Sequence, residues 1–291
     1  MIVHAIQALL ATAGVIQAAA WAQFYRASGA GASTSPVAIA AGAATNFFDT
    51  LGIGSFAPTT ALIKFLRLSD DELIPGTLNV GHSAPTIAQA VVFIGLIQVD
   101  ITLLISCITA AVVGAIWGAG AVARLPVRAI RLGMGGALLV AAVLFALRNL
   151  NLMPGGGDAI ALAGSAFAAA IALHLLFGAL MTLGVGLYAP SLISLSMLGM
   201  DPRAAFPIMM GACASLMPAA SLQFIRARRF DSRLALGLTI GGVPAVLAAA
   251  YIVKEMPLDM LRWLVTLVVL IAAAMLLSSG FKSEVAAARE S

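Results

Sequence analysis

A carboxylate, two glycines and a proline stand close together in this chain: Asp49, Gly52, Gly54 and Pro58. Asp49 is the only charge between Arg26 and Lys64. An acid in so apolar a run is costly to bury and marks a functional site by default. Gly52 and Gly54 permit backbone conformations that other residues resist. Pro58 suits the first turn of a helix, where a missing N–H costs nothing. The spacing predicts a helix that stops, a Gly-rich break, and a second helix whose N-terminus faces the break. Unpaired N–H groups and a positive dipole end at that point favour a small oxyanion. Ser55, Thr59 and Thr60 add hydroxyl donors. The same glycines equally suit tight helix crossing with no ligand. Asp49 also reads two ways. It can carry a proton that accompanies the anion, or it can cap the Gly-rich turn through Asn46 or Thr50.

The arrangement occurs twice. Thr50-Leu51-Gly52-Ile53-Gly54-Ser55-Phe56-Ala57-Pro58 matches Thr182-Leu183-Gly184-Val185-Gly186-Leu187-Tyr188-Ala189-Pro190 at six of nine positions, with an offset of 132. The same offset pairs Pro75 with Pro207 and Ser83 with Ser215. After a one-residue slip, Asp100 pairs with Asp231, Pro126 with Pro257 and Arg131 with Arg262. The second copy thus brings Gly184, Gly186, Tyr188 and Ser191 to the expected anion site, with Pro190 as its helix break. Ser83 and Ser215 are further candidate ligands. Tyr188 either closes the pocket or packs as an ordinary aromatic.

The two copies differ at three informative positions. Asp49 has Met181 as its counterpart, so the repeat itself does not require an acid there. Asn79 and His82 have Gly211 and Ala214. His82 can relay protons or can bond, neutral, between helices. His174 stands alone in an apolar run and reads as structural.

These residues need a membrane to position them. Of 291 residues, 62% are hydrophobic and 10% charged, with a mean hydropathy of +1.05. A soluble domain carries about 25% charged residues. The composition therefore excludes a soluble enzyme, a nucleic-acid-binding domain and a disordered chain. Cys107 and Cys213 have no CxxC or CxxH partner, so neither a disulfide framework nor a zinc site is expected. Residues 1–25 lack Lys, Arg, Asp and Glu and read as a retained first helix rather than a cleaved signal, since no basic segment precedes them. Further charge-free stretches follow at 73–99, 101–123, 132–147, 204–225, 234–253 and 263–281. All but 132–147, at 16 residues, come to about the ~20 residues that cross a bilayer core. The runs 27–63 and 159–200 are broken by Gly and Pro, and each reads as a pair of half-helices. The second member of the first pair, from Pro58 to about Leu68, reaches only about half a bilayer.

Loop charge bears on topology. If each broken run crosses the membrane, the sixteen Lys and Arg divide evenly between the two sides. If each turns back, twelve gather on one side and four on the other, a normal positive-inside bias. Three further crossings then leave the halves inverted relative to each other. Duplicated, inverted halves around a midplane site are a transporter pattern.

The paired L-G-[IV]-G-x-[FY]-A-P segments resemble the Gly-rich signature of the TauE/SafE sulfite exporter family. That motif usually reads G-[IL]-G-G-G, then an apolar stretch and Pro. The later features of each half are matched by Pro75 to Ser83, by Pro207 to Ser215, and by Arg228-Arg229-Phe230-Asp231. Here each triplet is reduced to Gly-x-Gly, and the first half adds Asn46-Phe47-Phe48-Asp49. The resemblance implies export of sulfite or small organosulfonates across the cytoplasmic membrane.

The expectation is an all-α polytopic membrane protein: an N-terminal transmembrane helix (1–26), repeat 1 (36–148), repeat 2 (158–281) and a short cytoplasmic tail (282–291). Each repeat is a re-entrant broken helix plus three transmembrane helices. The expected function is a secondary transporter of a small anion in the inner membrane, proton-coupled through Asp49 or His82. A membrane-embedded anion channel without gradient coupling is the alternative. No ATP-binding signature, nucleophile–base pair or metal constellation is present in the sequence, so neither an enzyme nor a cofactor or metal is expected. The expected partners are the anion and membrane lipid, not nucleic acid.

Overall fold

The computed structural model describes residues 2–28, 33–52, 54–122, 157–181 and 187–257, with parts of 132–150 and 259–278. The described residues are helical, and the one β-bridge among them joins Ala159 to Met200. In chain order the main helices are α1 (Ile2–Ser28), α2 (Pro36–Thr50), α3 (Phe56–Leu66), α4 (Ile74–Leu96), α5 (Ile101–Val122), α6 (Gly164–Met181), α7 (Tyr188–Met197), α8 (Pro202–Ala227) and α9 (Ser232–Glu255). Four of them, α1, α6, α8 and α9, are long and apolar enough to cross a membrane. The 23-residue α4 matches them in length but carries Asn79, His82, Ser83 and Gln89.

Local chemistry sets the helix starts. Ser35 caps α2, its hydroxyl accepting from Ala38 N–H at 3.1 Å, with Pro36 in the first turn. Asp201 caps α8 and Asp231 caps α9, each accepting backbone N–H groups at 2.8–3.0 Å. Asp100 takes the N–H of Leu103 at 2.7 Å at the start of α5. Asp100 and Asp231, paired in the sequence repeat, therefore do the same capping work. α3 and α8 end on Arg67 and Arg228, both in the left-handed region at φ 52° and 55°.

Hydrogen bonds between loops sort the helix ends into two groups. At one end, Tyr25 of α1 donates to the Ser232 carbonyl at 3.0 Å, and Thr34, just before α2, donates to the Arg233 carbonyl at 2.8 Å. There too, Thr77 near the start of α4 accepts the Asp231 N–H at 2.8 Å. α2 thus begins, and α3 gives way to α4, beside the same turn between α8 and α9. At the opposite end, Asp100 N–H donates to Ile160 at 2.9 Å, and Asp201 N–H to Ala159 at 2.8 Å. The Arg203 guanidinium reaches the Met256 carbonyl there. α6 begins and α7 ends at this second group. The α2–α3 pair therefore opens at one end of the bundle, and the α6–α7 pair at the other.

The pairs pack crosswise. α2 lies on α9 and α6 lies on α5, while α4 and α8 face each other. Glycines allow the two crossed contacts. A Cβ at Gly241 would sit 1.9 Å from the Ile39 carbonyl oxygen, and one at Gly178 would sit 1.9 Å from that of Ala111. Both distances are impossible for any residue but glycine, so the backbones touch directly. The main core gathers where α4, α5, α7 and α8 meet, around Phe93, Phe206, Leu192 and Met209.

Candidate functional site

α3 and α7 are short, at 11 and 10 residues, or about 16 and 15 Å. Each starts inside the bundle, and Pro58 and Pro190 stand third in their helices. A proline there ends no hydrogen bond, because the first-turn donors have no partner within the helix. Neither helix has a side-chain cap on its first turn. Gly52 and Gly54 take φ of 99° and 88°, the left-handed backbone that lets α2 stop at Thr50 and α3 restart at Phe56.

The two starts share a small cavity of about 30 Å³. From the first half it is lined by Asp49, Gly54, Ser55, Phe56 and Thr86. The second half contributes Met181, Leu187, Tyr188, Cys213 and Met217. Gly54 has no atom within 4 Å of where a Cβ would stand, so its missing side chain keeps the lining open.

A buried chain of hydrogen bonds ties the halves together at this point. Tyr188 Oη donates to Gln89 Oε1 at 2.6 Å. Gln89 Nε2 donates to Asp49 Oδ2 at 2.8 Å and to Thr50 Oγ1 at 2.9 Å. Ser55 stands beside Asp49 in the lining. Thr50 spends its hydroxyl proton on the Asn46 carbonyl at 2.8 Å, so the end of Gln89 that faces it is the NH₂. Asp49 is 2% exposed and has no cation among the lining residues. Its contact with Ser55 places it at the mouth of α3, where a negative charge meets the helix dipole. Asp49 thus faces the cavity, and its backbone carbonyl accepts the Gly52 N–H at 2.8 Å within the turn.

No protein-family model, curated protein or solved structure matches this chain. The site therefore rests on its own geometry.

The other sequence candidates divide. Gly52 is buried behind the lining, with a Cβ position 3.1 Å from Leu192. Thr59, Thr60 and Ser191 lie beyond the first turns and do not line the cavity. Ser215 donates back to the Gly211 carbonyl at 2.8 Å, and the buried Ser83 hydroxyl has no partner among the described residues. Gly184 and Gly186, with the 282–291 tail, lie outside the described residues.

His82 is buried beside the site but does not line it. Its Nδ1 lies 3.0 Å from Asn46 Oδ1 and its Nε2 2.9 Å from Thr59 Oγ1. The Asn46 amide NH₂ is engaged with the Gly42 carbonyl, so its oxygen faces the ring and Nδ1 carries the proton. Nε2 then accepts from Thr59. His174 repeats the pattern, with Nδ1 2.8 Å from the Ala170 carbonyl and Nε2 2.8 Å from Ser191 Oγ. Both rings are placed as neutral bridges between helices.

Sequence reasoning missed Gln89, the hub of the buried chain, and also Thr86, Cys213 and Met217. A single amide in an apolar helix carries no local signal. Its partners lie 40 residues before it and 99 residues after it.

Proposed function

We propose that this protein is a secondary transporter that moves a small anion across the cytoplasmic membrane together with a proton. The observation that carries the reading is that the starts of α3 and α7 line one cavity with Asp49. Two helix N-termini offer unpaired N–H groups and positive dipole ends to an anion. A second negative charge in the same small space repels it, so the anion enters favourably when Asp49 holds a proton. Gln89 and Ser55 can donate to either form of the acid. Occupancy by anion and by proton are then linked, which is the requirement for coupling.

In this reading the α2–α3 and α6–α7 pairs are re-entrant hairpins from opposite faces of the membrane. Each leads an inverted half, with α1 as an extra helix. Opening of the two pairs at opposite ends of the bundle supports that arrangement, as does their crosswise packing on α9 and α5. A site at the meeting point of two such halves can be exposed to each side in turn. The resemblance to sulfite exporters noted in the sequence agrees in substrate charge.

The test is flux in proteoliposomes. Uptake that saturates with anion concentration and accelerates under an imposed inward proton gradient is the expected outcome. Flux that ignores the pH difference and rises linearly with concentration would identify a channel instead.

A further inference from the structure

Three of the ten residues that line the cavity carry sulfur: Met181, Cys213 and Met217. The chain has only 12 Met and 2 Cys in 291 residues, so ten lining residues would hold fewer than one by chance. Two helices supply the three. Cys213 and Met217 are four residues apart on α8 and so share one face of it. Met181 is the last residue of α6, and its Sδ lies 4.0 Å from Cys213 Sγ. Met181 is also the repeat counterpart of Asp49, so the second half puts a thioether where the first half puts an acid.

The donor set decides which ion fits. A thiolate and two thioethers are soft ligands that select Cu(I), whereas Mg, Ca and Mn take oxygen. Structural zinc takes four ligands, drawn mainly from Cys and His. No histidine lines the cavity, and His82 and His174 have both ring nitrogens engaged with other partners. Among the described residues no group of three His, Cys, Asp or Glu competes for a metal. Distance agrees with the donor type. Three sulfurs around one ion at about 2.3 Å in a trigonal plane stand about 4.0 Å apart. That is the separation of Met181 and Cys213. Charge agrees as well. Cu(I) displaces the proton of the Cys213 thiol, which leaves to water, and the thiolate–Cu(I) pair that forms is neutral. No electron moves. A neutral pair suits a buried wall without Lys or Arg, whereas a divalent ion on the same three donors leaves one charge uncompensated.

We propose that Met181, Cys213 and Met217 form a binding site for a soft monovalent cation, Cu(I), with Ag(I) as its chemical substitute. The site does not rest on the anion-transport reading, since it needs neither half-helix start nor Asp49. A bound ion joins the end of α6 to α8 and so fixes one wall of the cavity.

The experiment uses the full-length protein in detergent, loaded with Cu(I) under reductant and argon and titrated against ferrozine, a weak Cu(I) chelator. Stoichiometric retention is expected, with an X-ray absorption shell of sulfur at about 2.3 Å. Thermal unfolding should shift upward with Cu(I) and with Ag(I), and not with Zn(II). Cys213→Ala should lose the ion, and Cys107→Ala should keep it. Met181→Leu and Met217→Leu conserve core volume. Each removes a direct ligand and should weaken retention by at least the roughly 10–100-fold that outer-shell changes cost. Failure of the unaltered protein to hold Cu(I) against ferrozine overturns the proposal, as does Zn(II) binding of equal strength. Retention unchanged in Cys213→Ala, or in both Met→Leu variants, overturns the placement. A first shell of nitrogen or oxygen in the unaltered protein overturns it even where a variant fails to fold. Anion flux enters none of these readouts, so the transport reading stands or falls separately.

Discussion

Thr59 and Ser191 are each the fourth residue of a half-helix, and each hydroxyl meets Nε2 of a buried histidine, at 2.9 Å for His82 and 2.8 Å for His174. The histidines come from opposite directions along the chain. His82 follows its half-helix, on α4, and His174 precedes its own, on α6. The positions 42 and 214 that would complete the symmetry are Gly42 and Ala214. The contact is thus conserved between the halves although the residues that supply it are not in equivalent places. Each bond ties a short helix to a longer neighbour.

That relationship predicts a stability effect without a transport effect at the site. Thr59→Val and Ser191→Ala should each destabilise the protein by about 1–3 kcal/mol, because each leaves a buried imidazole nitrogen unpaired. Denaturant or thermal unfolding in detergent measures this. Anion affinity should change little, since neither hydroxyl lines the cavity. A large loss of affinity with unchanged stability would mean that the histidine pairs contact the ligand.

Asp49→Asn separates the proton from the anion. The amide keeps the shape and an oxygen that accepts from Gln89, but it does not titrate. Anion exchange, which needs no net proton movement, should survive. Acceleration of net uptake by a pH gradient should vanish. Gradient-dependent uptake like that of the unaltered protein would remove Asp49 as the proton carrier and leave it as the cap of α3.

Gln89→Leu tests the buried chain. It removes the Gln89 partner of the buried Tyr188 hydroxyl and a donor from the buried Asp49. The expected cost is about 2–5 kcal/mol for the two losses together. Gln89→Glu keeps an acceptor for Tyr188 but presents oxygens to Asp49, which demands a shared proton. Its flux should therefore fall more steeply as pH rises than that of the unaltered protein. Identical pH profiles for Gln89→Glu and the unaltered protein would contradict the bond to Asp49.

The glycines of the break are expected to separate in their effects. Gly54→Ala strains a left-handed residue by about 1–2 kcal/mol but meets open space. Gly54→Leu projects into the cavity and should abolish anion binding while the protein still inserts. Gly52→Leu collides with Leu192 and should act first on folding. Binding retained in Gly54→Leu would show that the break serves packing alone.

Single cysteines introduced at Asp70 and Arg229, after Cys107 and Cys213 are replaced, should react with an impermeant reagent from the same side. Cysteines at Ala159 and Gly199 should react from the other. Labelling of residues 70 and 159 from one side would contradict the two-ended arrangement of the hairpins.

Much of this architecture was legible in the sequence because its markers are chemically rare. Few residue types tolerate a left-handed backbone, so Gly52 and Gly54 announce a break, and Pro58 announces the restart. An acid in an apolar run announces itself at Asp49. The boundaries of α3 and α7 follow the sequence offset, with Phe56 and Tyr188 opening them 132 residues apart. The opposing wall of the cavity was not legible. Met181, Cys213 and Met217 are ordinary apolar residues until the bundle closes. His174 looked solitary because Ser191 lies across the break from it. Gln89 depends on three partners from two other helices, and no local spacing encodes that meeting.

The glycine contact between α2 and α9 has a consequence for how the protein is made. α2 leaves the ribosome about 200 residues before α9, the helix on which its backbone rests. At 5–20 residues per second the interval is about 10–40 s. During that time the small-residue stripe at Gly42 has no mate, and only lipid, translocon or an insertion chaperone can cover it. Maturation is therefore governed from the last third of the chain. A lesion at Gly241, far from the cavity in sequence, should leave the nascent first half exposed to quality-control proteolysis rather than yield a stable, inactive carrier.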